Sequence, residues 1–238
     1  NVVPHVAEIH EVLAGAVQLL HGGGLVAIEF HHAGSILKGL QYDSIYHEHL
    51  FYFSQETLRA LCASHGLHAF DVLESPLSGG ALVLLFAKEQ RTPSPQLEEC
   101  VLSESESKVN LLETWEAFGK AVRVHSESLS HIVADRAKRG TVVGYGASAR
   151  SATLLNTAGI SGEEVQAVID RNELKHGRLT PGSDIPIVPF EEGLPLLQTA
   201  ESLLLLAWNF ESEIVADVRD EGFEGEILVP LPGELRLI

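Results

Sequence analysis

Four consecutive side chains, Tyr46, His47, Glu48 and His49, form the densest group of reactive residues in the sequence. Imidazole titrates near neutral pH, so a histidine here is suited to act as a general base. A neighbouring carboxylate can orient the ring, and a tyrosine hydroxyl can donate a hydrogen bond to a developing oxyanion. The segment therefore indicates acid–base catalysis. His5 follows a predicted strand end, so it would face the same cleft.

Two other interpretations of this segment stay open. If the segment were a strand, His47 and His49 would share one face, which suits a metal site, although no third and fourth ligands are obvious nearby. A polar cluster with a structural role is the other. The two cysteines, Cys62 and Cys100, are too few for a disulfide framework or a four-thiolate zinc site. We therefore assign no metal ligand to this chain.

A glycine-rich turn is the second chemical signal. The run GYGASA at 144–149 matches G-x-G-x-x-A between a predicted strand and a predicted helix, and Asp170 ends the next strand. Small residues allow backbone amides and a helix N-terminus to approach a phosphate. The turn alone favours a dinucleotide or another nucleotide diphosphate, to which Arg150 could add positive charge. A tight turn that needs glycine for its conformation is the alternative.

Regular elements must position these residues. Helices are predicted at 8–20 and 54–66, and strands at 25–30, 67–73 and 81–88. This order is typical of the second half of an α/β sheet that ends in a hairpin. Helical periodicity runs over 96–139 with an interruption at 103–108. From residue 141 strands alternate with helices, which predicts a parallel, doubly wound sheet. We therefore expect half a sheet over 1–91, a helical connector over 92–139 and a Rossmann-like domain over 140–238.

Charge and composition restrict the partners. The 238 residues include 16 Lys+Arg and 33 Asp+Glu, a formal net charge of −17. Such acidity disfavours nucleic acids and anionic membrane surfaces. No apolar run approaches the ~20 residues of a membrane span and no signal segment opens the chain, so the cytoplasm is the expected compartment. The chain has no methionine, not even at position 1, so we expect it to be part of a longer protein.

Several segments, in order, carry a resemblance to a known family. They are NVVPHV, GGGLVAIEF, QYDSIYHEHLFYFS, GYGASARSATLLN, DRNELKHGRLTPGSDIPI and LLLLAWNF. They resemble the S-adenosylmethionine-dependent C-methyltransferases of deoxysugar biosynthesis, which methylate carbon 3 of a nucleotide-linked 4-keto-deoxysugar. Members of that family have a zinc-binding module with clustered cysteines, a central methyltransferase sheet that holds the methyl donor, and a C-terminal Rossmann-like domain. This chain resembles the back half of the second part and all of the third.

The resemblance implies a role for each candidate residue. His49 would be the base that removes the proton beside the ketone, while Tyr46, Glu48 and His5 would position the sugar and stabilise the enolate. S-adenosylmethionine is the implied donor, with an incomplete site in this chain, and zinc would belong only to the N-terminal module. The nucleotide sugar would be held by a set of residues in the C-terminal domain: Tyr145, Gly146, Ser148, Arg150, Asn156 and Lys175.

One departure from the family pattern concerns the substrate. Family members usually carry H-G-G-S-L-R where this chain has SGGALV at 78–83, so a histidine, a serine and an arginine are missing.

Two other functions stay open: a non-catalytic nucleotide-sugar-binding remnant, and an NAD(P)-dependent oxidoreductase that uses the glycine turn. No Tyr-x-x-x-Lys or comparable hydride-transfer set accompanies that turn. Which sugar, which nucleotide and which oligomeric state are left undecided.

Overall fold

A computed structural model describes residues 2–238 of the chain. Their contacts divide them into two compact units. Unit 1 contains the residues up to Gly39 together with His47–Phe118, and unit 2 contains Leu40–Tyr46 together with Gly119–Ile238. The short stretch Leu40–Tyr46 therefore belongs to the second unit, although the residues on both sides of it belong to the first. The three-part division expected from the sequence stays a prediction.

Unit 1 is built on a three-stranded antiparallel sheet. Its elements are a 3₁₀-helix Val3–His5, α1 Ile9–Leu19, β1 Val26–His31, α2 Ala33–Lys38, α3 Gln55–Ala63, β2 His68–Ser75, a 3₁₀-turn Leu77–Gly79, β3 Ala81–Ala87 and α4 Pro95–Ser107. The strand order is β1-β3-β2. The predicted hairpin of β2 and β3 is confirmed. The strand predicted at 25–30 is continuously apolar, as buried parallel strands are, but that expectation of parallel pairing is wrong, because β1 runs antiparallel to β3.

The core of unit 1 lies between its sheet and helices. Phe30 of β1, Leu84 and Phe86 of β3, and Leu58 of α3 are completely buried within one apolar cluster. Ser54 is the N-cap of α3, because its hydroxyl accepts a hydrogen bond from the amide of Thr57 at 3.1 Å. The interruption predicted at 103–108 comes later. Helix α4 continues to Ser107 and ends where Lys108 adopts a left-handed backbone with φ 55°.

Unit 2 is an α/β domain with a six-stranded sheet. Its elements are a 3₁₀-helix Tyr42–Ser44, α5 Leu112–Arg139 (which begins in unit 1), β4 Val142–Tyr145, α6 Ala149–Ala158, β5 Ala167–Ile169, a 3₁₀-turn Glu173–Lys175, β6 Ile187–Val188, α7 Phe190–Gln198, β7 Ser202–Leu205, a 3₁₀-turn Trp208–Phe210, α8 Glu211–Asp220, β8 Glu226–Val229 and β9 Arg236–Leu237. The strand order is β6-β5-β4-β7-β8-β9, and every pair is parallel except β8 with β9. The α/β class and the Rossmann-like order of strands are confirmed. None of the helices within residues 2–238 is long and apolar enough to cross a membrane.

Candidate active site

The first candidate site lies in unit 1, where the 3₁₀-helix Val3–His5 meets an irregular segment that we call the His49 loop (residues 47–51). The carbonyl oxygen of Pro4 accepts hydrogen bonds from the amides of Leu50, at 2.9 Å, and Phe51, at 3.2 Å. His5 Nδ1 lies 2.9 Å from the carbonyl oxygen of Glu48. These three bonds hold the His49 loop against the start of the chain.

Two predicted catalytic histidines meet at this position. The rings of His5 and His49 lie 4.7 Å apart between centroids and pack edge to face. On its other side His49 faces Tyr52, with ring centroids 6.1 Å apart. Both histidines are half-buried, so solvent still reaches them. The structure therefore brings His5, the backbone of Glu48 and His49 together, as the sequence predicts.

The bond to Glu48 determines which nitrogen of His5 carries a proton. A carbonyl oxygen can only accept, so the N–H must lie on His5 Nδ1. A neutral His5 then has its lone pair on Nε2. Glu48 contributes its backbone to this arrangement, while its own side chain is exposed. His5 can therefore accept a hydrogen bond from a hydroxyl at Nε2, which is the contact expected of a sugar-positioning residue.

Aromatic residues explain why the His49 loop keeps its place. Phe51 and Phe53 stack with ring centroids 5.7 Å apart, and Phe53 packs edge to face on Phe30 in the core of unit 1. Tyr52 lies between Phe51 and Phe53 in the sequence, His49 lies two residues before Phe51, and both stay half-buried. The loop is not a strand, so the premise of the metal interpretation, that His47 and His49 share a strand face, is wrong. Within residues 2–238 no three His, Cys, Asp or Glu side chains are grouped so as to hold a metal ion.

Tyr46 is the fourth predicted catalytic residue, and the structure assigns it to unit 2 as the last residue of the segment Leu40–Tyr46. Its side chain is half-buried. The neighbouring Asp43 is almost completely buried and receives hydrogen bonds from Arg150 and Trp208. Sequence reasoning missed Asp43. The only signal for it was its place within the QYDSIYHEH motif, which says nothing about its partners.

The second candidate site is the glycine turn of unit 2, between β4 and α6. Gly146 has φ +95°, and a Cβ added to it would lie 2.4 Å from the Cβ of Ala207. Its amide donates to the carbonyl oxygen of Ile169 at 2.7 Å. Ser148 caps α6 in a reciprocal arrangement with Ser151. Backbone conformation and close packing thus account for the glycine without a ligand.

The carboxylate of Asp170, which follows β5, bonds the glycine turn directly. Its Oδ2 accepts the amide of Ala147 at 2.7 Å and the Lys175 ammonium at 3.0 Å. Its Oδ1 accepts the amide of Asn172 at 2.8 Å. A carboxylate that already bonds the turn leaves less positive potential for a phosphate. An acid at the end of the second strand is where a dinucleotide site would carry its ribose ligand, but Asp170 already has these intramolecular partners.

The predicted substrate-binding residues are only partly gathered. Tyr145 ends β4, Gly146 and Ser148 lie in the turn that follows it, and Lys175 reaches the same edge through Asp170. Burial raises the pKa of the Tyr145 hydroxyl, and the guanidinium of Arg171 partly opposes that shift. Asn156 lies apart, eight residues or about 12 Å further along α6 than Ser148. Its amide donates to the carbonyl oxygens of Ala152, at 2.7 Å, and Pro181, at 2.8 Å, so its contacts secure a loop.

Comparisons with known proteins agree on one family. Residues 76–232 match the profile of the family described as "C-methyltransferase C-terminal domain". The chain is 34% identical over 235 residues to "C-methyltransferase NovU" of Streptomyces niveus. That alignment covers 96% of this chain and 55% of the relative, so the chain spans about half the length of the curated relative it matches. The His49 loop precedes the profile match, but the longer alignment includes it because only 4% of the chain is left out.

Proposed function

Because the chain belongs to the C-methyltransferase family, we propose that its protein methylates carbon 3 of a nucleotide-linked 4-keto-deoxysugar, with S-adenosylmethionine as the donor. The family expected from the sequence motifs is confirmed. The substrate, the carbon and the reaction steps are the proposal. What supports it most directly is the contact of His5 with His49, held by the Glu48 carbonyl at a half-buried position.

Carbon is a poor nucleophile until the proton beside the ketone has been removed. We assign that step to His49: its imidazole takes the proton, the carbon–hydrogen bond breaks, and the electron pair moves onto the ketone oxygen as an enolate. The enolate oxygen needs hydrogen-bond donors, and we assign the hydroxyl of Tyr46 to this role. His5 and Glu48 position the sugar, His5 through its Nε2.

The nucleotide part is assigned to unit 2. Ligands of open α/β sheets bind beyond the carboxyl ends of the strands. Tyr145 is the last residue of β4, Gly146 and Ser148 follow it, and Lys175 follows β5. The Lys175 side chain is one-third exposed, and its ammonium, which also contacts Asp170 at 3.0 Å, supplies positive charge for a diphosphate there. Arg150 pairs with Asp43 and Asn156 secures a loop, so these two predicted ligands are not part of the proposal and stay predictions.

The methyl donor receives no residues in this chain. S-adenosylmethionine supplies an electrophilic methyl group when it is bound. The glycine turn at 144–149 is already assigned to the nucleotide sugar, and the amides of Gly146 and Ala147 are bonded to Ile169 and Asp170, so we assign no donor contact to it. We therefore derive no step through the donor, and zinc is likewise left to the N-terminal module expected of the family.

A methyl-transfer assay tests the proposal. The full protein that carries this chain is incubated with donor labelled on its methyl group and with a nucleoside-diphosphate 4-keto-6-deoxysugar. We expect one labelled methyl on carbon 3 of the sugar, located by carbon NMR. The matched control is the same nucleotide sugar with a 4-hydroxyl, which has no acidified proton and should stay unlabelled. Labelling of an oxygen or nitrogen atom, or equal labelling of both sugars, would exclude an enolate.

The two alternative functions differ in what the structure offers them. An NAD(P)-dependent oxidoreductase needs a hydride-transfer set beside the glycine turn, and no Tyr-x-x-x-Lys or comparable set accompanies that turn in the sequence. A non-catalytic nucleotide-sugar-binding remnant would keep the carboxyl edge of the sheet in unit 2. It would bind the sugar nucleotide in the assay above without transferring a methyl group.

A further inference from the structure

A buried polar segment precedes the candidate catalytic residues. Residues 41–44, Gln-Tyr-Asp-Ser, are each at most 3% exposed and belong to unit 2, where their 3₁₀-helix packs against α6. Polar side chains lose their hydration in such a position, so they need dedicated partners. We call residues 40–46 the anchor segment. Its partners show what the burial achieves.

Asp43 has three charge-assisted or polar donors. Arg150 forms a two-pronged pair with it, from Nε to Oδ2 at 2.9 Å and from Nη2 to Oδ1 at 3.0 Å. Trp208 Nε1 donates to Oδ2 at 2.9 Å, and the Arg150 guanidinium lies 4.7 Å from the centre of the Trp208 ring. A planar fork stacked on an indole fixes the carboxylate in distance and orientation. The three side chains therefore behave as one rigid clamp within unit 2.

Tyr42 supplies a second attachment. Its hydroxyl lies 3.2 Å from His125 Nδ1, and His125 Nε2 lies 2.8 Å from the carbonyl oxygen of Pro230. The carbonyl can only accept, so Nε2 carries the hydrogen and Nδ1 of the neutral ring accepts from Tyr42. Burial lowers the pKa of His125, with the Pro230 bond opposing it, so the neutral ring is favoured. The anchor segment is thus held at two consecutive residues.

The chain runs from this anchor directly into the candidate catalytic residues. Tyr46 ends the anchor segment, and the His49 loop follows it and is held within unit 1 by the carbonyl oxygen of Pro4. We propose that Asp43 is a positioning residue: together with Arg150 and Trp208 it fixes the start of the His49 loop, so that proton removal by His49 depends on a carboxylate that never touches substrate. This inference rests on the proposed function. It also gives Arg150 a role other than binding the diphosphate.

The test compares Asp43→Asn and Trp208→Phe with wild type. Trp208→Phe keeps the ring beneath Arg150 and removes one N–H, so it remains informative if Asp43→Asn, which leaves Arg150 uncompensated, folds poorly. The matched control is Glu211→Gln, which breaks another two-pronged arginine pair in unit 2, with Arg236. The readouts are kcat and KM of methyl transfer per folded enzyme, and amide hydrogen exchange of the peptide 44–51.

A positioning role changes kcat and loop order rather than substrate affinity. We expect Asp43→Asn to lower kcat about tenfold or more and Trp208→Phe about threefold, since small misplacements of reacting groups are costly. KM for the sugar nucleotide should change by less than about threefold, because binding is left intact. The amides of Leu50 and Phe51 should exchange faster in both variants. Glu211→Gln should match wild type in all three readouts.

Each other outcome is decisive. Unchanged kcat and exchange in folded Asp43→Asn would overturn the inference, as would a lower kcat with unchanged exchange. A rise confined to KM for the sugar nucleotide would assign Arg150 and its partners to the substrate instead. If the wild-type protein transfers no methyl group, the proposed function fails, and the exchange comparison alone then decides whether Asp43 positions the loop.

Discussion

At the residue scale, the backbone carbonyl of Glu48 determines the tautomer of His5. The carbonyl of Glu48 assigns the proton of His5 to Nδ1 and so directs Nε2 away from that bond. The sequence could predict that His5 and His49 belong together, because the resemblance carries both in fixed motifs. It could not predict Asp43 and its partners, which lie 107 and 165 residues away along the chain. Local periodicity in a sequence carries no information about contacts between residues that far apart.

A substitution at Gly146 tests whether packing, rather than a ligand, requires glycine in the turn. Gly146→Ala forces a positive φ on alanine and drives its Cβ into Ala207, so we expect a loss of about 3 kcal/mol in the free energy of unfolding. Urea unfolding of the purified protein measures it. The control is Gly159→Ala, which also has a positive φ but has nothing within 4 Å of the added Cβ. That variant should lose only about 1 kcal/mol; equal losses would show that contact with Ala207 is unimportant.

At the scale of elements, Glu104 of α4 completes the N-terminus of α3. Its carboxylate accepts the amides of Gln55, at 2.7 Å, and Glu56, at 3.0 Å, and lies 2.8 Å from His32 Nε2. Burial raises the pKa of Glu104, but the bonds from His32 and the two amides outweigh it, so the pKa lies below its ordinary value. The buried carboxylate therefore stabilises the contact between the two helices as long as it is ionised.

Glu104→Gln measures this contribution and its pH dependence. At neutral pH we expect a loss of about 2 kcal/mol in the free energy of unfolding, because an uncharged amide accepts these bonds less well. A lowered pKa means that the folded protein binds the proton less tightly than the unfolded chain, so the stabilisation is complete above the ordinary value of 4.5 and is lost as the pH falls through the folded pKa. The difference between wild type and variant should therefore shrink in acid.

Urea unfolding at neutral and acidic pH provides the comparison, and Glu106→Gln serves as its control. Glu106 lies two residues further along α4 and is exposed, so its substitution should have little effect at either pH. A loss for Glu104→Gln that stays constant down to acidic pH would contradict the assigned role of the carboxylate.

The elements also show what periodicity can predict. Long amphipathic or apolar segments such as α1 and β3 were predictable, because burial of one or both faces dictates their sequence. The two-residue strands β6 and β9 and the short helix α2 were not, since so few residues carry no period. The end of α4 was predicted too early: the polar run 103–107 looks like an interruption, yet Glu104 in its middle is buried against α3.

At the scale of the whole molecule, the candidate site residues are distributed over both units. The His49 loop with His5 belongs to unit 1, whereas Tyr46 and the residues proposed to hold the nucleotide belong to unit 2. The order of motifs along the chain predicted the family, and the alternation of strands with helices after residue 141 predicted the parallel sheet of unit 2. Neither motifs nor composition could predict that residues 40–46 join unit 2, because that depends on burial of polar residues by distant partners.

Solvent exchange into the sugar tests the assignment of the base most directly, because proton removal does not require the methyl donor. The full protein is incubated in deuterium oxide with a nucleoside-diphosphate 4-keto-6-deoxysugar, and NMR follows loss of the carbon 3 proton above the enzyme-free rate. Wild type should exchange this proton. In His49→Ala the exchange rate should fall at least about 100-fold. In His47→Ala, which changes an exposed neighbour of His49, the exchange rate should match that of wild type. Exchange by His49→Ala at the wild-type rate would contradict the account.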